Sequence, residues 1–404
     1  MWIGRGRDLL KQAVFLVGGR GTRLKLLTQS TPKPLIEVAG RPFLDVLVEE
    51  AAREGFDDIL LLGGYLGEQM LSRYDGRMVR GARVRVLVES QPQGTAGALR
   101  FALPHLNSKF LLANGDTFFD INLRSLAVNT PRGGAVMALR SGVRDYRYGR
   151  VLLNDGVVHG FRALSERDDE PINAGIYAVD REIVARIGGG PVSLESDVFP
   201  TLARDGLLRG IIFDRYFVDI GIPEDLQRAR VDLPPRLIRP ALFLDRDGVL
   251  NKDNGYVHSR EEFEWIPGAR EAVRLANDLG WFVFVVTNQA GVARGLYEEH
   301  DIRALHLFMQ EELAEVGAHI DAFEYCPHHP GGARPGYGKA CHRRKPNPGM
   351  IRDLLTTWPV DIGRSILVGD MPQDLAAARA AKIHGVAFPG GSLLDFISTK
   401  IGRA

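Results

Sequence analysis

Short apolar runs that end at glycine or aspartate recur along this chain, with longer stretches of helical spacing between them. The clearest runs are Ala13–Val17, Ile59–Leu62, Val84–Val88, Phe110–Ala113, Ala241–Leu244, Phe282–Val286 and Ser365–Val368. Helical spacing of apolar residues occurs at Phe43–Arg53, Ala269–Leu279 and Asp301–Val316. Buried strands that alternate with helices indicate mainly parallel sheets of the α/β class. In such sheets, ligands bind beyond the carboxyl ends of the strands.

The length of 404 residues exceeds that of a usual single domain, so two domains are expected. The stretch Val231–Leu237 interrupts the alternation with two adjacent prolines, Pro234 and Pro235. Adjacent prolines disfavour helix and suit an extended connector. The boundary is therefore predicted near residue 235, with domains at 1–234 and 235–404.

Composition narrows the class of protein. Apolar residues make up 45% and charged residues 25%, which is typical of soluble globular proteins, and a net charge of +1 provides no global attraction for nucleic acid or membrane. No apolar run is long enough to span a bilayer, and Met1–Lys11 lacks the apolar core of a secretory signal. The two cysteines argue against a disulfide framework. We expect a cytoplasmic protein that has neither nucleic-acid nor membrane partners and that binds small anionic partners at local sites.

A glycine-rich loop follows the first predicted strand. Gly18, Gly19 and Gly21 leave the backbone N–H groups open to a phosphate, and Arg23 adds a cation with several donors. Lys33 lies between two prolines that stiffen its loop. The loop has neither the Gly-Lys-Ser/Thr ending of a P-loop nor the spacing of a dinucleotide fingerprint. A tight turn between strand and helix is the structural alternative.

The ordered motifs of the first half resemble the sugar-1-phosphate nucleotidyltransferases over residues 11–230. These motifs are Gly18–Leu24, Pro32–Leu35, Gln91–Ala98, Asn114–Asp116, Asn173–Gly175 and Val218–Gly221. The resemblance implies a Rossmann-like domain in which a sugar 1-phosphate attacks the α-phosphorus of a nucleoside triphosphate and pyrophosphate leaves. Within that family, Tyr148–Val151 and Tyr216–Asp225 are most similar to the D-glycero-D-manno-heptose-1-phosphate guanylyltransferases.

The resemblance implies a role for each group of residues. Arg23 and Lys33 act as catalytic cations on the phosphates, while Asp116 and Asp219 hold Mg²⁺ through carboxylate oxygens. The residues implied to bind the nucleotide are Gly18, Gly19, Gly21, Thr22, Gln91, Gly94 and Thr95. For each of the two aspartates, the alternative is a turn residue that caps the following segment.

One departure from the family pattern affects the sugar phosphate. The resemblance implies that Asn173 and Gly175 face the sugar, after a Glu-Lys pair whose lysine commonly reaches the sugar phosphate. This chain has Phe161–Leu164 in that place, so Arg162 is the candidate cation, in a different register. The departure leaves a second hypothesis open, in which the first half only binds nucleotide or sugar phosphate and catalyses nothing.

The second half carries paired carboxylates at the end of a predicted strand. Ala241–Leu244 leads directly into Asp245, and Asp247 follows two residues later, so both side chains can face the same way. Paired carboxylates repel each other, which indicates a bound cation or a division of acid and base roles. An Asx turn is the alternative. The polar residues that follow the later strands are Thr287, Asn288, Lys345, Asp370 and Asp374.

Together these residues resemble the four motifs of the haloacid-dehalogenase phosphatases across residues 241–389, which implies a second Rossmann-like fold. Asp245 is then the nucleophile that forms an aspartyl-phosphate, and Asp247 protonates the leaving oxygen and later activates water. Mg²⁺ is held by Asp245, Asp370 and the main-chain carbonyl of Asp247. Asp374 orients the lysine of the site. The residues implied to bind the phosphoryl group are Thr287 and Lys345.

The local sequence narrows the subfamily. Thr287–Gly295 and Arg344–Met350 resemble the D-glycero-D-manno-heptose-1,7-bisphosphate 7-phosphatases and the related histidinol-phosphate phosphatases. The resemblance implies that Asn288, Arg294 and Arg344 face the sugar and the remote phosphate of the substrate.

A Cys- and His-containing segment aligns with the zinc loop of that subfamily. Cys326, His328 and Cys341 are three of its ligands, but Arg343 occupies the fourth position, which is normally cysteine. A guanidinium repels a metal ion, and structural zinc needs four donors. Two interpretations remain open, a zinc site and a metal-free loop with two thiols. The histidines available as a substitute donor are His329 and His342.

The two halves fit one pathway, because the phosphatase family produces heptose 1-phosphate and the transferase family consumes it. The sequence therefore predicts a bifunctional enzyme that needs Mg²⁺ in both domains and converts heptose phosphates and GTP, or another nucleoside triphosphate, into a nucleotide-activated heptose. A histidinol phosphatase is disfavoured, because a nucleotidyltransferase domain has no role in that reaction. Neither motif set determines the base, so a dTDP- or GDP-hexose made from a hexose 1-phosphate remains an alternative product.

Overall fold

The computed structural model describes residues 10–142, 149–162 and 170–402, which group into two compact units at 1–234 and 235–404. Tyr148 and the first nine residues, on which two expectations rest, lie outside the described residues. Within the described ranges, no helix combines the length and the apolar content that crossing a lipid bilayer requires.

The first unit contains mostly strands, and its last helix reaches the boundary with the second unit. Its strands are β1 Gln12–Leu16, β2 Glu37–Val38, β3 Arg41–Pro42, β4 Asp58–Gly63, β5 Met78–Val79, β6 Ala82–Val88, β7 Lys109–Asn114, β8 Thr117–Phe119, β9 Ala135–Arg140, β10 Arg150–Asn154, β11 Val157–Arg162, β12 Ile172–Asp180, β13 Leu208–Phe213 and β14 Phe217–Asp219. Its helices are α1 Phe43–Arg53, α2 Gly67–Tyr74, α3 Gly94–Ala102, α4 Glu182–Ala185, α5 Phe199–Arg204 and α6 Pro223–Arg236.

Ten of these strands form one mixed sheet in the order β10-β11-β13-β9-β12-β7-β1-β4-β6-β5. The four neighbours β7, β1, β4 and β6 run parallel, and Leu16 pairs in register with both Asn114 and Leu62. Because the register is aligned, the loops after these four strands leave the same edge of the sheet. The expected α/β architecture is confirmed, although β12 pairs antiparallel with both of its neighbours, β7 and β9.

The second unit is a five-stranded parallel sheet in the order β17-β16-β15-β18-β19 with helices packed against it. Its strands are β15 Ala241–Leu244, β16 Phe282–Asn288, β17 Ala322–Cys326, β18 Ile366–Gly369 and β19 His384–Ala387. Its helices are α7 Ala269–Asp278, α8 Gly291–Arg294, α9 Glu299–Glu315, α10 Gly349–Thr357, α11 Pro372–Ala380 and α12 Leu393–Ser398. Leu244 pairs with Val285 on one side and with Val368 on the other, so β15 is central and its carboxyl end is flanked by two others.

The expectation of an extended connector at the two prolines was wrong. Helix α6 continues through Pro234 and Pro235 and ends at Arg236. Leu226, Ala229 and Leu233 are buried along one face of this helix. Burial of this apolar stripe stabilises the helix, and prolines in its last turns remove backbone hydrogen bonds only near its end.

The core of the second unit depends on its central strand. All four residues of β15 are fully buried, and the ring of Phe243 lies 5.2 Å, centre to centre, from that of Phe284. The Phe284 ring lies in turn 5.2 Å from the Trp358 ring. An aromatic cluster of this kind fixes β15 against β16, and it thereby positions the residues that follow both strands.

We predict that Phe243→Ala lowers the free energy of unfolding of the second unit by about 3–5 kcal/mol, because it leaves a cavity in this cluster. Urea unfolding followed by tryptophan fluorescence measures the effect, since three of the four tryptophans lie in the second unit. As a control, Leu307→Ala should cost less than about 0.5 kcal/mol, because this side chain is 67% exposed. Equal losses in both variants would contradict the prediction.

Candidate active sites

A cavity of about 590 Å³ opens in the first unit beyond the carboxyl ends of β1, β4, β6 and β7. Six of the residues predicted from the sequence line it, and they come from four separate segments. They are Gly18, Gly19, Lys33, Gly94, Thr95 and Asp116. The sheet edge therefore brings together the glycine-rich loop and the later motifs, as expected for a parallel sheet.

Other predicted nucleotide contacts do not line this cavity. Gly21, Thr22 and Arg23 lie further along the loop, and the side chain of Arg23 is exposed, whereas Arg20 reaches the cavity wall. Gln91 is also exposed, while its neighbours Glu89, Ser90 and Pro92 line the cavity. The roles proposed for the four residues remain predictions. Motif order alone does not show which side chains of an irregular loop turn inward.

At two positions of this cavity, another backbone segment comes so close that only glycine fits. A Cβ on Gly18 would lie 2.9 Å from the amide nitrogen of Gly64, which no ordinary contact allows. Gly94 has a φ of +76°, and a Cβ there would overlap the carbonyl oxygen of Val192. The Thr95 hydroxyl donates to Glu195 at 3.0 Å and accepts from the amide of Leu194 at 2.8 Å. These contacts fix the start of α3 against the segment that contains Val192.

Lys33 lies between the two carboxylates that the sequence assigns to a metal. Its ammonium forms ion pairs with Asp116 and, at 3.3 Å, with Asp219. The lysine side chain is 11% exposed, whereas the carboxylates of Asp116 and Asp219 keep partial access to water. Two carboxylates that converge on one cation have the donor chemistry that suits Mg²⁺.

The residues predicted to face the sugar are engaged with their neighbours. Asn173 donates to the hydroxyl of Tyr177 at 2.8 Å and accepts from the amide of Gly175 at 2.9 Å. Gly175 has a φ of +72°, and a Cβ there would lie 2.5 Å from the side-chain nitrogen of Asn114. Arg162 pairs with Glu170. Residues 163 and 164 of the departing segment lie outside the described residues.

The second unit has its own cavity, of about 340 Å³, at the carboxyl end of its parallel sheet. Asp245 and Asp247 both line it, in agreement with the period of two along an extended segment. The other predicted residues that line it are Thr287, Asn288 and Asp370. These five residues lie at or just after the ends of three adjacent strands, β15, β16 and β18.

A buried lysine connects Asp245, which lines this cavity, to a second carboxylate, Asp374, which does not line it. The Lys345 ammonium lies 2.8 Å from Asp245 and 2.6 Å from Asp374, and the lysine side chain is 1% exposed. Burial raises the pKa of Asp245 to about 7, although Lys345 acts in the opposite direction. Burial alone would lower the pKa of Lys345, but the two carboxylates outweigh it and raise that pKa. The pairing of Asp374 with Lys345 is the one that the sequence predicts.

Asp247 is held by three donors, which the sequence analysis did not assign. Arg246 donates to both carboxylate oxygens at 2.9 Å, Asn251 donates at 3.0 Å and Gln289 at 2.9 Å. Tyr297 in turn donates to Gln289 at 2.7 Å. Arg246 lies between the two aspartates in sequence and is fully buried. In the sequence, the signal for this network was Arg246, which follows a predicted buried strand almost directly. A buried guanidinium needs hydrogen-bond acceptors nearby.

Oxygen atoms of Asp245, Asp370 and Asp374 lie within 4.8 Å of one another, an arrangement that suits a divalent cation. Burial raises the pKa of Asp370. Gly248, at a φ of +83°, makes room for this carboxylate, since a Cβ there would overlap it. The side chain of Asp247 is outside the cluster, and the assignment of its main-chain carbonyl to the metal stays a prediction.

Two arginines lie next to the cavity without lining it. Arg294 is exposed and its guanidinium lies 5.5 Å from the ring centre of Tyr256, while Arg344 is half-buried and donates to the carbonyl of His328 at 3.2 Å. Burial lowers the pKa of Arg344, and the positive charge of Arg294 adds to this effect. Two cations that repel each other provide a favourable place for an anionic group.

The three zinc ligands that the sequence predicts form one group, called the sulfur cluster below. The ligand atoms of Cys326, His328 and Cys341 lie within 4.8 Å of one another. Burial raises the pKa of the Cys326 thiol to about 12. Arg343 forms an ion pair with Glu324 and another, at 3.1 Å, with Asp353. The two sulfurs and the imidazole nitrogen are donors that zinc accepts, but among the described residues neither His329 nor His342 belongs to the cluster, so the fourth place lacks a protein donor.

Comparison with known proteins decides the family. The family described as nucleotidyl transferase matches residues 12–234, more than half of the chain, and the HAD-hydrolase-like family matches residues 342–393. The chain belongs to the nucleotidyl transferase family, fused to a haloacid-dehalogenase-type phosphatase. Both expected families are thus confirmed, and the chain is an enzyme with a transferase part and a phosphatase part.

Two relatives of the phosphatase part carry the same name. The D-glycero-beta-D-manno-heptose-1,7-bisphosphate 7-phosphatase of Rhodopseudomonas palustris is 51% identical over 159 residues, which are 39% of this chain and 88% of that protein. The protein of the same name from Escherichia coli K12 is 42% identical over 144 residues, which are 36% of this chain and 75% of that protein.

A solved structure resembles the transferase part. HddC from Yersinia pseudotuberculosis, in complex with GMP-PN, matches with a TM-score of 0.51 and 27% identity. The match covers 55% of this chain and all of the HddC chain. HddC therefore has the same fold as the first unit, over its full length.

We predict that Gly248→Ala lowers phosphatase activity by at least about tenfold, because the added Cβ displaces the Asp370 carboxylate and strains a positive φ. Release of phosphate from a small phosphate monoester measures the effect. Gly336→Ala is the matched control, since Gly336 has a φ of +84° and nothing lies within 4 Å of its added Cβ. An equal loss of activity in both variants would show that backbone strain alone is responsible and that the position of Asp370 is not.

Proposed function

We propose that this enzyme catalyses two consecutive steps of nucleotide-heptose synthesis. The second unit removes the 7-phosphate of D-glycero-D-manno-heptose 1,7-bisphosphate, and the first unit transfers a guanylyl group from GTP to the resulting heptose 1-phosphate. The observation that carries the proposal is the buried Lys345 between Asp245 and Asp374, in a chain that also has a cavity of nucleotide size. The name shared by the phosphatase relatives supplies the sugar.

In the phosphatase reaction, an Asp245 oxygen attacks the phosphorus, the bond to the sugar oxygen breaks, and Asp247 gives that oxygen a proton. Asp247 then takes a proton from water, whose oxygen attacks the phosphorus and releases phosphate from Asp245. Lys345 and Thr287 stabilise the charge of the transferring group. The donors Arg246, Asn251 and Gln289 hold the Asp247 carboxylate at one place in the cavity.

The substrate of the second unit carries a second phosphate, which needs its own cations. Arg294 and Arg344 lie beside the cavity and repel each other, so a phosphate between them would stabilise both. Asn288 is fixed by two hydrogen bonds of 3.0 Å with the main chain of Lys345, which leaves it at the cavity wall. We assign the binding of the remote 1-phosphate and the adjacent sugar hydroxyls to Arg294, Arg344 and Asn288.

In the transferase reaction, a 1-phosphate oxygen attacks the α-phosphorus and the bond to the leaving pyrophosphate breaks. Lys33 and the glycine-rich loop bind the triphosphate in this assignment, and Asn173, Gly175 and Arg162 face the sugar phosphate. With substrate bound, the Lys33 ammonium would contact the phosphates, and Asp116 and Asp219 would be the carboxylates that hold Mg²⁺. Enzymes of both families generally use Mg²⁺, which would neutralise phosphate charge in each unit.

The test supplies α- and β-anomers of heptose 1,7-bisphosphate and measures phosphate, then supplies heptose 1-phosphates with each nucleoside triphosphate and measures pyrophosphate. We expect phosphate release from the 7-position and pyrophosphate release with GTP. Release of the anomeric phosphate would contradict the pathway. Pyrophosphate release only with a hexose 1-phosphate would favour the alternative transferase, and none at all would favour the binding module.

Two variants should separate the activities. Asp245→Asn should abolish phosphate release and leave pyrophosphate release from added heptose 1-phosphate near that of the parent enzyme, since an amide cannot attack phosphorus. Asp219→Ala should do the reverse, with a loss of at least about a hundredfold in pyrophosphate release. A fully active Asp219→Ala transferase would overturn the assignment of this metal ligand.

For the sulfur cluster we propose a three-ligand zinc site that chelators empty. Zinc bound by the parent protein should be lost on dialysis against a chelator, and Cys341→Ser should bind less than a tenth as much. Arg343→Cys adds the missing fourth thiolate and should retain about one zinc per chain under the same dialysis. Metal analysis of the dialysed proteins measures this, and zinc retained by the parent protein would mean that another residue completes the site.

A further inference from the structure

Glu89 follows β6 directly, and its carboxylate lines the cavity of the first unit. One oxygen accepts a hydrogen bond of 3.2 Å from the amide of Gln93, which precedes α3. The other oxygen lies against Gly64, where a Cβ would come within 3.2 Å of it. Burial raises the pKa of Glu89, and the Gln93 amide acts in the opposite direction. Among the described residues, the Gln93 amide is the one hydrogen-bond donor to Glu89, although a carboxylate can accept about four hydrogen bonds.

The order of the strands separates Glu89 from the cationic end of the cavity. Asp116, which pairs with Lys33, follows β7, whereas Glu89 follows β6, and β1 and β4 lie between these two strands. Three strand spacings amount to roughly 14 Å. A nucleoside triphosphate has its phosphates at one end and its base at the other. With the phosphates at Lys33, the base must extend toward Glu89, because a carboxylate would repel the phosphates.

Guanine is the base whose chemistry suits this carboxylate. Its N1–H and 2-amino groups are two adjacent donors on one edge, which a carboxylate can accept side by side. Uracil and thymine present a single N–H between two carbonyl oxygens, and adenine and cytosine present an amino group beside a ring acceptor. We infer that Glu89 selects GTP by accepting hydrogen bonds from the N1–H and the 2-amino group of guanine. The inference rests on the proposed function, since it needs a nucleotide in this cavity.

Glu195 is another carboxylate that lines the same cavity, but it already accepts two side-chain hydrogen bonds. One oxygen of Glu195 accepts from the Thr95 hydroxyl at 3.0 Å and from the Ser193 hydroxyl at 2.9 Å. These contacts connect α3 to the segment before α5 and give Glu195 a structural task. Glu89 has no side-chain donor among the described residues, so it is the stronger acceptor for a ligand.

Calorimetric binding of nucleotides with Mg²⁺ and without sugar tests the inference. Inosine triphosphate differs from GTP only in lacking the 2-amino group, so it removes one of the two hydrogen bonds. We expect the parent enzyme to bind GTP at least about tenfold more tightly than inosine triphosphate, the effect of one hydrogen bond to a charged group. Glu89→Gln should reduce this ratio to about threefold or less, because glutamine has a single acceptor oxygen on its side chain.

Two further variants make the result specific. Glu68→Gln removes an exposed carboxylate on α2 and should keep the parent ratio, provided that all variants melt at the temperature of the parent. The inference is overturned if the parent binds both purine nucleotides equally, if it prefers CTP, dTTP or ATP, or if Glu195→Gln rather than Glu89→Gln reduces the ratio. Failure of every nucleoside triphosphate to bind would instead overturn the proposed transferase function itself.

Discussion

The aligned register of the parallel strands is the constraint on which both candidate sites depend. In each sheet, neighbouring strands end at the same level, so residues that are far apart in sequence leave the same edge. Leu244 pairs with Val285 and Val368, which places Asp245 beside the segments that end at Asn288 and Gly369. Leu16 pairs in the same way with Leu62 and Asn114. A shift of one residue would move each strand's side chains to the opposite face of the sheet, so packing on both faces keeps the register, and with it the geometry of the sites.

Both sites hold a lysine between two carboxylates, although their exposure differs. Lys345 is almost fully buried, so its two ion pairs replace the water that the three charges would otherwise bind. Removal of one partner from such a cluster commonly costs about 3–5 kcal/mol, because a charge is then left buried without compensation. Lys33 lies at the edge of an open cavity, where phosphates can compete for it. The Lys33 cluster is thus suited to rearrangement on binding, and the Lys345 cluster to a fixed position of the Asp245 carboxylate.

Much of this organisation could be predicted from the sequence. Apolar runs followed by glycine or aspartate identified β1, β15 and β18, and the spacing of Asp245 and Asp247 predicted that they face one cavity. The Cys326, His328 and Cys341 cluster was also predicted, because its residues belong to one motif. The connector was not predicted correctly. Two prolines favour extended backbone locally, but Leu226, Ala229 and Leu233 are buried along one face of a helix, and this burial outweighs the preference of the prolines.

The sequence by itself determined the fold class, the order of the motifs and the type of chemistry, since these depend on local periodicity and on residue type. Only the tertiary structure decided which side chains meet. It selected Glu89 and Arg20 rather than Gln91 and Arg23 for the wall of the first cavity, and it placed Arg246 and Gln289 around Asp247. It also paired Arg343 with Glu324 and Asp353 instead of leaving it at the sulfur cluster. Side-chain direction in loops depends on packing between distant segments, and no local pattern encodes it.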